Sequence, residues 1–93
     1  MNKSDLITRV AESLENHRKR DVEDAVNLIF GTMREALMND GRVEIRGLGS
    51  FHLKLREARL GRNPKSGVKV QIPDRKIPFF KAGRELKARL NED

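Results

Sequence analysis

The spacing of apolar residues changes once along this chain, and that change fixes the order of its elements. From Leu6 to Leu37 apolar residues recur three and four positions apart; from Val43 onward they alternate with polar ones. The first period belongs to helices with one apolar face, the second to strands with one buried side.

Leu6, Ile7, Val10 and Leu14 predict a first helix over about residues 3–15, with Asn2 or Ser4 as cap and Asp5 in its first turn. The stretch "NHRKR" reads as a connector. Asp21 then caps a second helix, with Glu23 and Asp24 near its positive end. Val22, Ala25, Val26, Ile29, Phe30, Met33, Ala36 and Leu37 keep the helical rhythm until "NDG", where Gly41 can adopt a positive φ. This apolar stripe is broader than one short helix can cover. After the switch, Val43 and Ile45, then Phe51, Leu53 and Leu55, then Val68, Val70 and Ile72 predict a three-stranded antiparallel meander, with "GLG" at 47–49 as a tight reversal. Pro73 interrupts the third strand, and Ile77, Phe79 and Phe80 form a last apolar cluster. A short basic helix over about 82–90, with Leu86 and Leu90 inward, closes the chain. The expectation is an α+β fold in a single domain: a helical hairpin over 1–40, a sheet over 41–81 that extends into an arm at about 55–76, and a C-terminal helix within 82–93.

A chain of 93 residues buries roughly 60–65% of its unfolded surface and needs a further stabiliser. With no cysteine, disulfides and zinc–thiolate sites are excluded and a reducing compartment fits. His17 and His52 cannot close a metal site by themselves, so no metal or cofactor is expected. No nucleophile–base–orienter set and no acidic cluster suggests an enzyme or a small-molecule substrate. No run of about 18 apolar residues exists for a membrane span, and a soluble, cytoplasmic protein is expected. Association with a second subunit remains as the stabiliser.

The net charge of +6 is unevenly placed. Residues 1–40 hold six Lys/Arg against eight acids, residues 41–93 fourteen against six. A basic half suggests a surface aimed at a polyanion. Within residues 52–76, eight cations face two acids, and between Leu55 and Val68 the apolar alternation lapses into "REARLGRNPKSG". A two-stranded ribbon with little to bury is marginal in water, and ordering it makes sense where a ligand binds it. A flexible surface loop explains the Gly, Asn and Ser. It does not explain cations along both strands or a proline at the tip. A β-ribbon fits a DNA groove, its cations neutralise phosphates, and a rigid proline is among the wedges that minor-groove proteins push between base steps. RNA is the second reading of the same hairpin.

The chain resembles, over essentially its whole length, the bacterial HU and integration host factor family of DNA-bending proteins. The residues that carry the resemblance are "MNKSDLI", "VEDAV", "EIRGLGSF", Arg59 with "GRNPKSG", and "IPFFKAGRELK". "EIRGLGSF" and "NPK" are similar to the integration host factor β branch, whereas Ala82 in "FKAG" is more like HU. Ser66 stands where threonine is usual, and Leu48 where phenylalanine is common. The resemblance implies an intertwined dimer whose two arms reach around double-stranded DNA, with Pro64 intercalating and Arg62, Asn63 and Lys65 at the groove edge. It also implies that Lys54, Arg56, Arg59, Lys69, Arg75 and Lys76 belong to the basic arm and saddle. Lys3, Arg46, Lys81, Arg84 and Lys87 would clamp phosphates along the body, helped by backbone near Gly47, Gly49 and Ser50. Phe30, Met33, Leu37, Leu48, Phe51 and Phe80 would form the dimer core. A bacterial nucleoid protein of HU type, with weak sequence preference, is the main expectation; a site-specific integration-host-factor-like subunit is the alternative. The partner chain is a second copy or a paralogue.

Overall fold

The computed structural model describes residues 1–92; Asp93, the last residue of the expected C-terminal segment, lies outside the described residues. The chain forms two compact units, Met1–Glu35 and a second that begins at Ala36.

In the first unit, α1 spans Lys3–Ser13. Of the two candidate caps, Asn2 takes the role. Its Oδ1 accepts from the Asp5 amide at 2.9 Å, and the Asp5 carboxylate accepts from the Asn2 amide at 3.1 Å. These reciprocal bonds satisfy amides that the helix cannot. Helix α2 spans Lys19–Met38 and starts two residues before the expected cap, Asp21. The Arg18 carbonyl already accepts from the amides of Asp21 and Val22, which puts Asp21 inside the first turn, where its charge still suits the helix dipole. The connector is therefore residues 14–18, as long as "NHRKR" but two residues earlier, and Asn16 makes the reversal at φ 67. Ile7, Val22 and Val26 are buried, with Leu6, Val10 and Ala11 packed against them.

Three buried side chains are a thin core. Much of the rest of α2's apolar surface is open: Ile29 and Phe30 of the stripe are 57% and 42% exposed and Leu28 beside it 70%, while Met33, Ala36 and Leu37 are half-buried. The breadth expected from sequence thus becomes uncovered apolar surface.

The second unit opens with the end of α2. Asp40, not Gly41, takes the left-handed position (φ 58). The Asp40 amide bonds the Leu37 carbonyl at 3.1 Å and the Gly41 amide bonds that of Ala36 at 2.8 Å, the paired closure of a Schellman motif. Five strands follow: β1 Val43–Ile45, β2 Gly49–Arg56, β3 Arg59–Arg62, β4 Lys69–Ile72 and β5 Arg75–Ala82, then α3 at Arg84–Leu90. They make a sheet ordered β1-β2-β5 and a separate ribbon β3-β4, all antiparallel. The third strand of the sheet is therefore β5, not residues 68–72, which belong to the ribbon. The Phe79–Phe80 doublet and Pro78 hid β5 from a period-two reading. Pro78 is tolerated because β5 pairs only with β2 and is an edge. Helix α3 starts two residues later than expected; Leu86 is half-buried, but Leu90 is exposed.

Strands β2 and β5 pair without a bulge from Gly49↔Ala82 to Arg56↔Arg75. One face carries Phe51, Leu53, Pro78 and Phe80, with the Phe51 and Phe80 ring centroids 4.8 Å apart. The other carries Ser50, His52, Lys54 and Arg56 opposite Lys81, Phe79, Ile77 and Arg75.

Gly49 holds the β1–β2 reversal at φ 156, and a Cβ there would strike the Lys81 carbonyl and the Phe80 ring. Gly49→Ala should therefore lower stability by more than about 2 kcal/mol in thermal unfolding. Gly31→Ala, in α2 where an added Cβ would meet the Arg34 guanidinium only at an ordinary 3.8 Å, should be neutral or raise stability by up to about 1 kcal/mol.

Candidate nucleic-acid interface

At the tip of the ribbon, Arg62 and Lys69 form the last pair. Beyond them the Asn63 amide bonds the Val68 carbonyl at 2.8 Å, and the Gly67 amide bonds the Asn63 carbonyl at 2.7 Å. Asn63 Oδ1 accepts from the Lys65 amide at 2.9 Å and Ser66 Oγ from the Val68 amide at 3.3 Å. The side-chain oxygen of Asn63 thus builds the turn, a local bond that asparagine makes readily. Pro64 lies exposed between Asn63 and Lys65. It has no N–H to satisfy and its φ is fixed, so the apex presents a stiff ring. Gly61 is not part of the reversal: it sits in β3 opposite Val70, and the Ile72 side chain fills the space a Cβ would need.

The ribbon buries almost nothing. Leu60 and Val68 are 72% and 60% exposed. At its root, the Asp74 carboxylate accepts a bond from the Ala58 amide and so ties the two sides of the arm together. Arg56, Arg59 and Arg75 line a hollow at this root, with Glu57.

On the polar face of the sheet, Lys54 Nζ lies 3.5 Å from the centroid of the Phe79 ring. Lys76 pairs with Asp40 at 2.6 Å, both side chains more than half exposed; such an exposed pair adds little stability and leaves the lysine available to a stronger anion. Arg46, Gly47, Gly49, Ser50, Lys81, Arg84 and Lys87 line one open concavity between the sheet and α3. Seven expected positions from two separate stretches of sequence, 46–50 and 81–87, therefore meet in one place. Arg42, Glu44 and Glu85 share this hollow and were not expected there. Glu44 bonds Arg42 Nε at 3.0 Å, and the Arg42 guanidinium also donates to Ser50 Oγ at 3.4 Å. The alternation Arg42-Glu44-Arg46 along one strand face was the available signal.

Lys3 is exposed in the first turn of α1, in the first unit. Among the residues expected in a dimer core, Phe30, Leu48 and Phe80 are about two-fifths exposed, and Met33, Leu37 and Phe51 are half-buried. A single chain does not bury them.

Residues 1–91 match the family described as bacterial DNA-binding protein. The chain is 48% identical to integration host factor subunit beta of Dechloromonas aromatica over 99% of its length and 98% of that protein, and 47% identical to that of Dichelobacter nodosus over 100% and 97%. Among solved structures it superposes on Anabaena HU from a cocrystal with DNA, with a TM-score of 0.89 at 33% identity and complete coverage of both chains. It also superposes on Thermotoga maritima HU with a TM-score of 0.67 at 31% identity, over 98% of this chain and all of that one. An α+β chain with a cationic β-ribbon and a basic sheet face defines a DNA-binding architectural protein, not an enzyme. The chain belongs to the bacterial DNA-binding protein family, that of HU and integration host factor.

The bond from the Ala58 amide to the Asp74 carboxylate ties the arm root. Asp74→Ala should speed amide hydrogen exchange at Ala58 by about tenfold or more, the loss of one charge-assisted bond, while exchange in α1 stays unchanged.

Proposed function

We propose that this protein acts as a dimer that bends double-stranded DNA, each subunit inserting its arm into the minor groove and Pro64 into the base stack. The observation that carries the reading is the arm tip. A rigid, exposed proline is held by Asn63 and Ser66 bonds at the end of a ribbon that buries no core. A ribbon of this kind gains order when a groove covers it, and its wedge has a use only where something can be unstacked.

In this reading Arg62, Asn63 and Lys65 hold the groove edge beside the kink, and Lys69 and Lys54 continue the contact along the strands. Arg56, Arg59, Arg75 and Lys76 receive phosphates at the arm root. The concavity lined by Arg46, Lys81, Arg84 and Lys87, with the backbone of Gly47, Gly49 and Ser50, receives the flanking backbone, as does Lys3. Phosphate neutralisation and counterion release drive binding. Each kink costs a few kcal/mol of unstacking, and the extra contacts of a wrapped duplex offset it. Sequence preference then follows deformability of the duplex more than base-edge contacts. The protein would work in the bacterial cytoplasm, on the nucleoid. Its domain would divide into a dimerising helical hairpin at 1–40, a sheet at 41–81 bearing the arm at about 55–76, and the C-terminal helix.

The second subunit is supported by the uncovered stripe of α2. Ile29, Phe30, Met33 and Leu37, with Leu48, Phe51 and Phe80 of the second unit, are apolar surface that an identical or similar chain can cover. A second reading, a site-specific subunit with a paralogous partner, is favoured by relatives at 47–48% identity that are named as beta subunits.

Pro64→Ala should remove kinks of some tens of degrees while weakening binding less than bending. Fluorescence transfer between the ends of a labelled duplex checks this, and bending equal to that of the wild type would sink the wedge. Native mass spectrometry of the protein purified alone should give twice the chain mass; a monomer would favour a paralogous partner.

A further inference from the structure

The polar face of the sheet carries one residue that a cationic surface does not account for. Phe79 stands in β5 opposite His52 and is 40% exposed. Its neighbour Phe80 faces the other side and packs on Phe51. The period of two thus sends one ring of the doublet to the apolar face and the other among the cations. Lys54 Nζ sits over the Phe79 ring at 3.5 Å, and the His52 ring approaches it at 5.2 Å, tilted by 60°. His52 Nδ1 is buried without a hydrogen-bond partner.

We propose that Phe79, with Lys54 and His52 around it, is a further DNA contact, an apolar seat for the deoxyribose edge of the strand whose phosphates the surrounding cations hold. This inference rests on the DNA-bending reading and deepens it. The ring is bordered in register by Lys81 and Ser50 on one side and by Ile77 and Lys54 on the other, so it lies within the charged surface and not apart from it. A polyanion drawn to those cations necessarily covers the ring. Deoxyribose C–H groups are the part of the backbone that an aromatic ring can desolvate without loss. The ammonium over the ring is held there by the quadrupole, and that fixes it beside the sugar, where a phosphate lies within reach. The two contributions differ in kind: burying part of the ring is independent of salt, whereas the ammonium releases counterions.

The test is equilibrium binding of one linear duplex by wild type, Phe79→Ser, Phe79→Leu and Lys54→Gln over a range of salt, with circular dichroism to compare folding. Phe79→Ser should weaken binding roughly fivefold, the worth of partly burying one ring, with the salt slope unchanged. Phe79→Leu, which keeps apolar bulk and leaves the fold intact, should fall between Phe79→Ser and wild type. Lys54→Gln should make the slope shallower by about one. Wild-type affinity in both Phe79 variants would overturn the contact. So would weaker binding by Phe79→Ser with a shallower slope, since the ring would then act only by holding Lys54. Failure of the wild type to bind the duplex would overturn the DNA-bending reading together with this one; binding by the wild type with Phe79 indifferent overturns this inference alone.

Discussion

The register of β2 against β5 is the constraint on which the second unit depends. Eight consecutive pairs, from Gly49↔Ala82 to Arg56↔Arg75, run without a bulge. Side chains in a strand alternate strictly, so a slip of one residue would send Phe51 and Leu53 to the polar face and Lys54 and Arg56 to the apolar one. Both ends of the ladder are pinned. Gly49 permits the close approach to the Lys81 carbonyl and the Phe80 ring, and the Gly83 amide bonds the Leu48 carbonyl at 2.9 Å. At the other end the Asp74 carboxylate bonds the Ala58 amide just where the sheet gives way to the ribbon. One register therefore delivers an apolar face, a cationic face and the base of the arm together.

Apolar burial within one chain is modest, and that bears on what the protein is. Only Ile7, Val22 and Val26 are buried hydrophobic residues among those described, while Leu28, Ile29, Phe30 and Met38 of α2 stay largely exposed. A small chain without disulfide or metal needs another source of apolar burial. The α2 stripe and the Phe51–Phe80 pair offer it to a partner chain. Dimerisation in this reading is a condition of stability as well as of symmetry, and it is also what brings a second arm to the same duplex.

Much of this was legible in the sequence because the signals are local. The change of period located helices and strands, Pro64 and the cation run could be placed from their neighbours alone, and the first cap was narrowed to Asn2 or Ser4. What was missed depended on partners distant in sequence or on competing local signals. Strand β5 was hidden by Pro78 and the Phe79–Phe80 doublet, and only its pairing with β2 shows that the two rings face opposite ways. Helix α2 opens where the Arg18 carbonyl accepts from the Asp21 and Val22 amides, which places Asp21 inside the first turn and not at the cap. Asp40 rather than Gly41 turns left-handed; glycine at 41 is required instead by its approach to the Ala36 carbonyl. In the candidate site, the basic residues of the concavity were expected one by one. Their convergence follows from the β2–β5 register, which sets Gly49 opposite Ala82 and Ser50 opposite Lys81 and which single positions do not reveal.

The arm shows how the two requirements of the function divide between backbone and side chains. A ribbon with a buried face would be rigid in isolation, but its buried residues could not also line a groove. Here Leu60 and Val68 stay in water, and the strands are held by their ladder and by bonds at each end, the Asp74 tie at the root and the Asn63 and Ser66 turn at the tip. Conformational entropy lost on ordering such a segment is of the order of 1–2 kcal/mol per residue, more than a bare two-stranded ladder recovers in water. In the DNA-bending reading, the balance shifts when cations along both strands meet phosphates and the exposed apolar side chains meet sugar edges. Order in the arm and deformation of the duplex are then two halves of one equilibrium: the groove supplies the contacts that the ribbon lacks, and the ribbon supplies the wedge that a straight duplex resists. A sequence with more apolar residues in "REARLGRNPKSG" would stiffen the free arm and leave less of that free energy to be released on binding.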